Sequence, residues 1–472
     1  MKKIYTLLVL LVFGNLTAQV FTDITGNIPA LNNSFVAWGD YDNDGDQDLY
    51  ISGELPTGDP GGGLYQNDNG NFSLVANSNL PLLSLGQAQW ADFNEDGNLD
   101  IVIMGYNGND GQTDIYYNNG DGTFTFANAG LPPAYMGDIS AVDVNNDGHM
   151  DVGITGMRTD TNPWSNFTKI FINNNDGTFS EMTSANLPGM NFGKMQFADY
   201  DNDNYPDFIL SGFSDVTNTQ YTKLWHNNGD GTFTETSTAF FQSWLGDLEW
   251  GDYDNDGNVD LIVSGVGGAS GTERRTTLYH NDGNGNLVEV TAVVLPGLSH
   301  SAIEFADFNA DGELDIFLTG ANNTPGAGSY YSRIFIQHGT NNFLEQTSIS
   351  LAAENYGDAE AVDFDNDGDA DLVITGSSYN DAPNTSLYRN DETSAVTHKD
   401  KFDFTIYPNP SQGRIYIHSE NNLGKIEILD ITGKIIYQTQ SDKHQINIDL
   451  SGLHRGIYLL KINQTGKKLI IN

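Results

Sequence analysis

Apolar and polar positions along this chain alternate in short runs, without the 3.6-residue period of a helix. Phe35-Val36-Ala37-Trp38 is followed by a polar segment from Asp40 to Asp48, then by Leu49-Tyr50-Ile51-Ser52-Gly53. In the next copy a variable polar loop leads to Ile115-Tyr116-Tyr117. A tight Asn118-Asn119-Gly120-Asp121-Gly122 turn then precedes Thr123-Phe124-Thr125-Phe126. Apolar or aromatic runs of this length, bounded by Asn/Gly/Asp turns, predict four short strands per unit and no helix.

The unit recurs. A nine-residue pattern close to DxDxDGxxD begins at Asp40, Asp92, Asp143, Asp199, Asp252, Asp307 and Asp363, at intervals of 51 to 56 residues. One four-stranded unit cannot bury both its faces; seven stacked around an axis can, which predicts an all-β, seven-bladed propeller. The seventh unit stops after its third strand at Leu387-Tyr388-Arg389, whereas Val20-Phe21-Thr22-Asp23-Ile24-Thr25 resembles the fourth strands at Phe179 and Phe233. The N-terminal strand is therefore expected to close blade seven and leave no open sheet edge.

The expected organisation is a leader over 1–18, the propeller over 19–392, a polar linker over 393–402 and a separate unit over 403–472. The leader has Lys2-Lys3, an apolar Ile4 to Phe13 and a small-residue site at Leu16-Thr17-Ala18, the pattern of a cleaved signal peptide. No later apolar stretch reaches membrane-spanning length. In the last unit, Phe404-Thr405-Ile406-Tyr407, Ile426-Glu427-Ile428-Leu429 and Gly456 to Ile462 read as alternating strands split by turns, hence a small immunoglobulin-like β-sandwich.

Charge sharpens the picture. The chain of 472 residues carries 20 basic and 63 acidic residues, a net charge of −43. The excess is confined: from Lys399 onward there are 10 basic and 7 acidic residues, so the propeller is the acidic part. Such a field repels phosphate backbones and anionic membranes, which argues against nucleic acid as a partner. It also calls for bound cations. With no cysteine, disulfides, thiolate metal sites and cysteine nucleophiles are excluded.

The repeated loops supply those cation sites. A loop that curls around a hard cation needs oxygen ligands at alternate positions, and calcium takes six to eight of them. Position 1 is Asp40, Asp92, Asp143, Asp199, Asp252, Asp307 or Asp363. Position 3 is Asp42, Asn94, Asn145, Asp201, Asp254, Asn309 or Asp365, and position 5 is Asp44, Asp96, Asp147, Asp203, Asp256, Asp311 or Asp367. Position 9 is Asp48, Asp100, Asp151, Asp207, Asp260, Asp315 or Asp371. Position 7 would ligate through its backbone carbonyl: Asp46, Asn98, His149, Tyr205, Asn258, Glu313 or Asp369. The His149 imidazole is expected to be exposed. Position 6 is glycine in six loops and Asn204 in the fourth, the residues that best accept a left-handed turn. An EF-hand is excluded, since position 12 is Ile, Leu or Val within a strand instead of a bidentate Glu. Up to seven calcium ions are expected, with the fourth loop the weakest site.

These loops, each followed by an apolar strand and a glycine, resemble the FG-GAP/VCBS repeats of integrin α-chain propellers and of many secreted bacterial proteins. The resemblance covers residues 19–392 and implies calcium between the first and second strands of each blade. Residues 403–472, with Tyr407-Pro408-Asn409-Pro410, Gly413 and Asp430-Ile431-Thr432-Gly433-Lys434, are similar to type A sorting domains of the Bacteroidetes type IX secretion system. That resemblance implies export through this machinery to the outer-membrane surface or the medium of a Gram-negative bacterium.

No HExxH, GxSxG or GxxxxGK[ST] motif is present, and nearly all carboxylate pairs belong to the metal loops. The variable second-to-third loops are expected on the face opposite the metal loops, carrying Tyr106, Trp164, Tyr221, Arg274, Arg275, Tyr330, Tyr331 and Tyr379 as candidate ligand contacts. Trp38, Trp90 and Trp250, each two residues before a metal loop, are expected to pack between blades. The reading is a monomeric, non-enzymatic binding or adhesion module for an extracellular glycan or protein. The alternatives are a calcium-dependent, lyase-like polysaccharide-degrading enzyme and a structural surface-layer protein.

Overall fold

The computed structural model describes residues 18–161, 164–268, 271–322, 330–378 and 382–393. Beyond these it describes 404–407, 411, 413–419, 422–429, 435–441, 443–450, 453, 456–462 and 465–471. The leader up to 17, Tyr379 and most of the linker lie outside the described residues. All regular structure among those residues is β, and the chain divides into two compact units, of which the larger is Gln19–Glu392.

That larger unit contains seven antiparallel meander sheets. Blade one runs Asn32–Gly39, Asp48–Glu54, Pro60–Asp68 and Asn71–Leu74. The others repeat it, except that the inner strand of blade five is broken into Ser243–Trp244 and Leu248–Gly251. Blade seven takes its outer strand from Ala18–Asp23, beside Ala382–Thr393. Ile24 N–H donates to Leu387 O at 2.8 Å, and the Phe21 ring meets Phe308 and Tyr388 edge-on at 6.1 and 6.5 Å. The inner strand of blade one packs against those of both blade two and blade seven, so the ring is closed.

The second strands explain why the blades stack. Asp48–Glu54 and Asp260–Gly267 are buried almost from end to end, because each is covered on both sheet faces by neighbouring blades. Alternation is lost where both faces are covered, and a continuous apolar run results. The core is accordingly a series of inter-blade clusters. One holds Phe35, Tyr50 and Leu64 of blade one with Ile101, Ile103 and Tyr116 of blade two. Trp38 stacks on Phe364 of blade seven at 5.8 Å. Trp90 Nε1 donates to Ala37 O at 3.2 Å, and Trp250 Nε1 to Gln196 O at 3.4 Å. All three tryptophans bridge neighbouring blades.

The C-terminal unit has a three-stranded sheet (Thr405–Tyr407, Arg414–His418, Gln445–Asp449). A second sheet has four strands: Gly424–Leu429, Ile435–Ser441, Gly456–Ile462 and Thr465–Ile471. Phe404, Ile415, Ile417, Ile426, Ile428, Ile448 and Leu460 share one apolar core between them.

Candidate metal loops and ligand face

Each candidate metal loop joins the first and second strands of its blade. Position 6 is left-handed in every copy, from φ +107° at Gly368 to +71° at Asn204. That conformation turns the chain so that Asp44 N and Gly45 N both donate to the Asp40 carboxylate at 3.0 Å. The same pair of bonds recurs on Asp92, Asp143, Asp199, Asp252, Asp307 and Asp363. Position 5 accepts the N–H of position 7, as from His149 to Asp147.

Position 9 is fully buried and works as a staple. Asp48 accepts the N–H of Tyr41, at position 2 of its own loop, at 3.2 Å, and that of Asn67, at the end of the third strand, at 2.8 Å. Asp260 does the same with Tyr253 and Asn281, at 3.2 and 2.7 Å. Burial, opposed by these bonds and reinforced by neighbouring carboxylates, pushes Asp48, Asp100, Asp151, Asp207, Asp260 and Asp315 up to about 7. Asp371 rises to about 8 for the same reasons.

The loops fit a hard cation. The Oδ1 atoms of Asp201, Asp254, Asp365 and Asp369 are buried without a hydrogen-bond donor, an arrangement that costs free energy unless a positive charge satisfies them. Ligand atoms of Asp40, Asp42 and Asp48 lie within 4.8 Å of one another, as do those of Asp199, Asp201 and Asp207, and of Asp252, Asp254 and Asp256.

Two regularities were not read from the sequence. The third strand ends in an amide side chain that reaches the preceding blade: Asn118 Nδ2 donates to Tyr41 O and Asn281 Nδ2 to Tyr200 O, both at 2.7 Å. The residue before that amide lies over position 3 and follows its polarity. Where position 3 is Asp, the partner is polar: Gln66 on Asp42 at 2.7 Å, His226 on Asp201 at 3.2 Å, His280 on Asp254 at 3.4 Å and Arg389 near Asp365 at 3.9 Å. Where position 3 is Asn94, Asn145 or Asn309, that place is taken by Tyr117, Ile172 or Ile336. Both signals sit in the chain as recurring residues just before the Asn/Gly turns. The His149 imidazole, expected to be exposed, is paired with Glu95 of the preceding blade's loop and approaches Asn175.

The candidate ligand contacts separate. Tyr106 and Trp164 come together around Tyr135, which the sequence reading missed: ring centroids are 5.3 Å apart for Tyr106–Tyr135 and 6.1 Å for Tyr135–Trp164. Trp164 is 52% exposed. Tyr221, Arg274, Arg275, Tyr330 and Tyr331 were expected in variable loops but lie in the third strands, which extend further than the sequence suggested. Tyr221 packs into an inter-blade core, with its hydroxyl donating to Glu235 at 3.3 Å. Tyr331 lies under Arg333. Arg275 bonds Glu289 at 2.8 Å and covers Phe241, while Arg274 Nε donates to Ser299 at 2.7 Å.

Along the axis, the inner strands enclose a cavity of about 780 Å³ lined by Lys194, Asp138, Asp247, Asp358, Glu249, Glu304 and Glu360 among others. Lys194 Nζ lies 3.4 Å from Asp247. Burial and the nearby Asp247 carboxylate push Glu249 up to about 8.

The FG-GAP-like repeat model matches residues 40–103, 92–154, 159–210, 212–263 and 266–318. The secretion system C-terminal sorting domain matches 405–472. A search of curated protein sequences gave no match. Among solved structures, an exo-β-1,3-galactanase from Phanerochaete chrysosporium is 9% identical, covering 70% of this chain and 90% of its own, with a TM-score of 0.30. A putative exo-β-1,3-galactanase from Bifidobacterium bifidum is 11% identical over 80% and 95%, at 0.27. PorZ, a surface component of the Porphyromonas gingivalis type IX secretion system, is 10% identical over 93% and 81%, at 0.26. Likenesses this remote say nothing about activity. The sorting domain marks the chain for export by the type IX system to the cell surface or the extracellular space. With more than half its length matched, the chain belongs to the FG-GAP-like repeat family and ends in a secretion system sorting domain.

Proposed function

We propose that this protein is an exported, calcium-loaded propeller that binds an extracellular glycan or protein through the loops opposite its metal sites. Calcium would be held by positions 1, 3, 5 and 9 of each loop, with the position 7 carbonyl. The bound charge would relieve the mutual repulsion of carboxylates that the fold holds together.

The observation that carries binding is the Tyr106–Tyr135–Trp164 cluster. Two rings from blade three and one from blade two form a platform whose outermost member, Trp164, is half exposed. Burial first, then Tyr106 and Asp110, push the Tyr135 hydroxyl up. An exposed aromatic face beside polar groups on a rigid scaffold suits stacking of a sugar ring. The test is a glycan array probed with the full chain and with Trp164→Ala, in calcium and in EDTA. Binding to a sugar class that needs both Trp164 and calcium supports the reading. Silence from a folded chain sinks the glycan reading and leaves a protein ligand, to be sought by pull-down.

A further inference from the structure

Blades four and five differ from the other five in what covers their metal loops. His226 Nδ1 lies 3.2 Å from Asp201 Oδ2 and 3.1 Å from Asp207 Oδ1. His280 Nδ1 lies 3.4 Å from Asp254 Oδ2 and 3.2 Å from Asp260 Oδ1. Each imidazole thus meets positions 3 and 9 of its loop at once. In both loops the position 3 carboxylate keeps an Oδ1 that is buried and accepts no hydrogen bond, and the Asp254 side chain is only 12% exposed. Ligand atoms of Asp201, Asp203 and His226, and of Asp254, Asp260 and His280, fall within 4.8 Å of one another.

We propose that the loops of blades four and five are mixed nitrogen–oxygen sites for a first-row transition dication such as zinc, with His226 and His280 as ligands. This rests on the reading of the loops as cation sites and distinguishes two of them from the rest. Two donors on one zinc ion, with bonds of about 2.0–2.2 Å, are separated by roughly 3.0–3.5 Å depending on the angle between them. The four nitrogen–oxygen separations fall in that interval. In blades one and seven the same carboxylate is met by the neutral amide of Gln66 and the guanidinium of Arg389, neither of which offers a nitrogen lone pair. Calcium selects oxygen donors, whereas imidazole favours zinc and its neighbours in the first transition row. The fourth loop, weakened as a calcium site by Asn204, Tyr205 and Pro206, gains in His226 a ligand that calcium would not use.

The test uses cobalt(II) as a spectroscopic probe on the full chain in excess calcium, with bound metal counted by elemental analysis after gel filtration. Wild type should retain two equivalents, His226→Gln and His280→Gln one each, and the double variant none. Glutamine copies the contact that Gln66 makes in blade one, so the variants should fold and keep a calcium-dependent melt. Equal cobalt uptake by wild type and the double variant, or none by either, overturns the inference while leaving the calcium loops standing. Failure of the loop reading shows separately, as a melting temperature that EDTA does not move.

Discussion

The side-chain amide of Asn67 donates to the backbone carbonyl of Phe364 at 2.7 Å, across 297 positions of the chain. Phe364 occupies position 2 of the seventh metal loop, and its own N–H is held by the buried Asp371 at 3.0 Å. Loop seven is thereby tied to blade one. The same clasp joins Asn173 to Phe93, Asn227 to Val144 and Asn390 to Phe308. Each metal loop thus presents one carbonyl to the next blade, and whatever orders the loops also orders the ring.

Asn67→Ala should destabilise the propeller by about 2–4 kcal/mol. It removes bonds to Phe364 O and Gln47 O at 2.7 and 3.0 Å and leaves buried carbonyls without donors. Asn67→Gln should cost less, because Gln337 fills the equivalent place in blade six and reaches Tyr253 O at 3.0 Å. Urea melts of the two variants check this; equal losses would show that the backbone there cannot accommodate the longer amide.

Positions 3 and 9 of a loop should respond differently to metal removal. Asp260 staples Tyr253 N and Asn281 N through hydrogen bonds that are made within the protein alone. Asp260→Ala should therefore lower stability both in calcium and in EDTA, by about 2 kcal/mol or more. Asp254→Asn should lose stability only in calcium, because it removes a ligand charge and relieves repulsion once the ion is gone. For wild type, EDTA should lower the melting temperature sharply. Scanning calorimetry of the three chains with and without chelator separates the two roles.

The parts of the molecule legible in the sequence were those written seven times. The Asp pattern, Gly53 and its counterparts, and the tryptophans before the loops each mark a position where one physical demand recurs in every blade. The edges of the third strands were not legible. Arg274, Tyr330 and their neighbours are polar or amphipathic residues whose pairing depends on how far the second strand extends opposite them. Tyr135 escaped notice because it opens an inner strand, and its role appears only when Tyr106 of the neighbouring blade is brought beside it. The pairing between position 3 and Gln66, His226, His280 or Arg389 requires knowing that residues about 24 apart meet at one loop. The chain shows that only once the meander is folded.

A ring of left-handed residues that no motif announced surrounds the axial mouth away from the metal loops. Leu85, Met136, Phe192, Leu245, His300, Tyr356 and Asn33 have φ between +46° and +54° and line a pocket there with the small residues that follow them. Bulky side chains seldom adopt this conformation. It persists here because the next residue packs directly on a neighbouring strand. A Cβ on Gly246 would lie 2.1 Å from Ser264 O, a backbone atom that cannot swing away. Gly246→Ala should therefore cost at least about 3 kcal/mol or prevent folding. A denaturant melt within about 1 kcal/mol of wild type would mean that the inner strand can shift.

The axial cavity should make stability fall as pH rises. Glu249 is pushed up to about 8, first by burial and then by Asp247, against the opposing effects of Gln196 and Lys194. Its folded form therefore holds a proton that the unfolded carboxyl has already released, and the folded state binds more protons. The penalty is absent below the ordinary carboxyl value of about 4.3, grows as pH climbs, and is complete once pH passes the folded value. With the loops saturated by calcium, wild type should lose about 2 kcal/mol between pH ~5 and pH ~9 from this residue, since the side chain is only partly buried and solvent screens part of the effect. Glu249→Gln keeps the shape and cannot ionise, so its stability should change less over the same interval. Urea melts at the two pH values, compared between wild type and variant, isolate the contribution; identical slopes would show that Glu249 is charged in the native cavity and held so by Lys194.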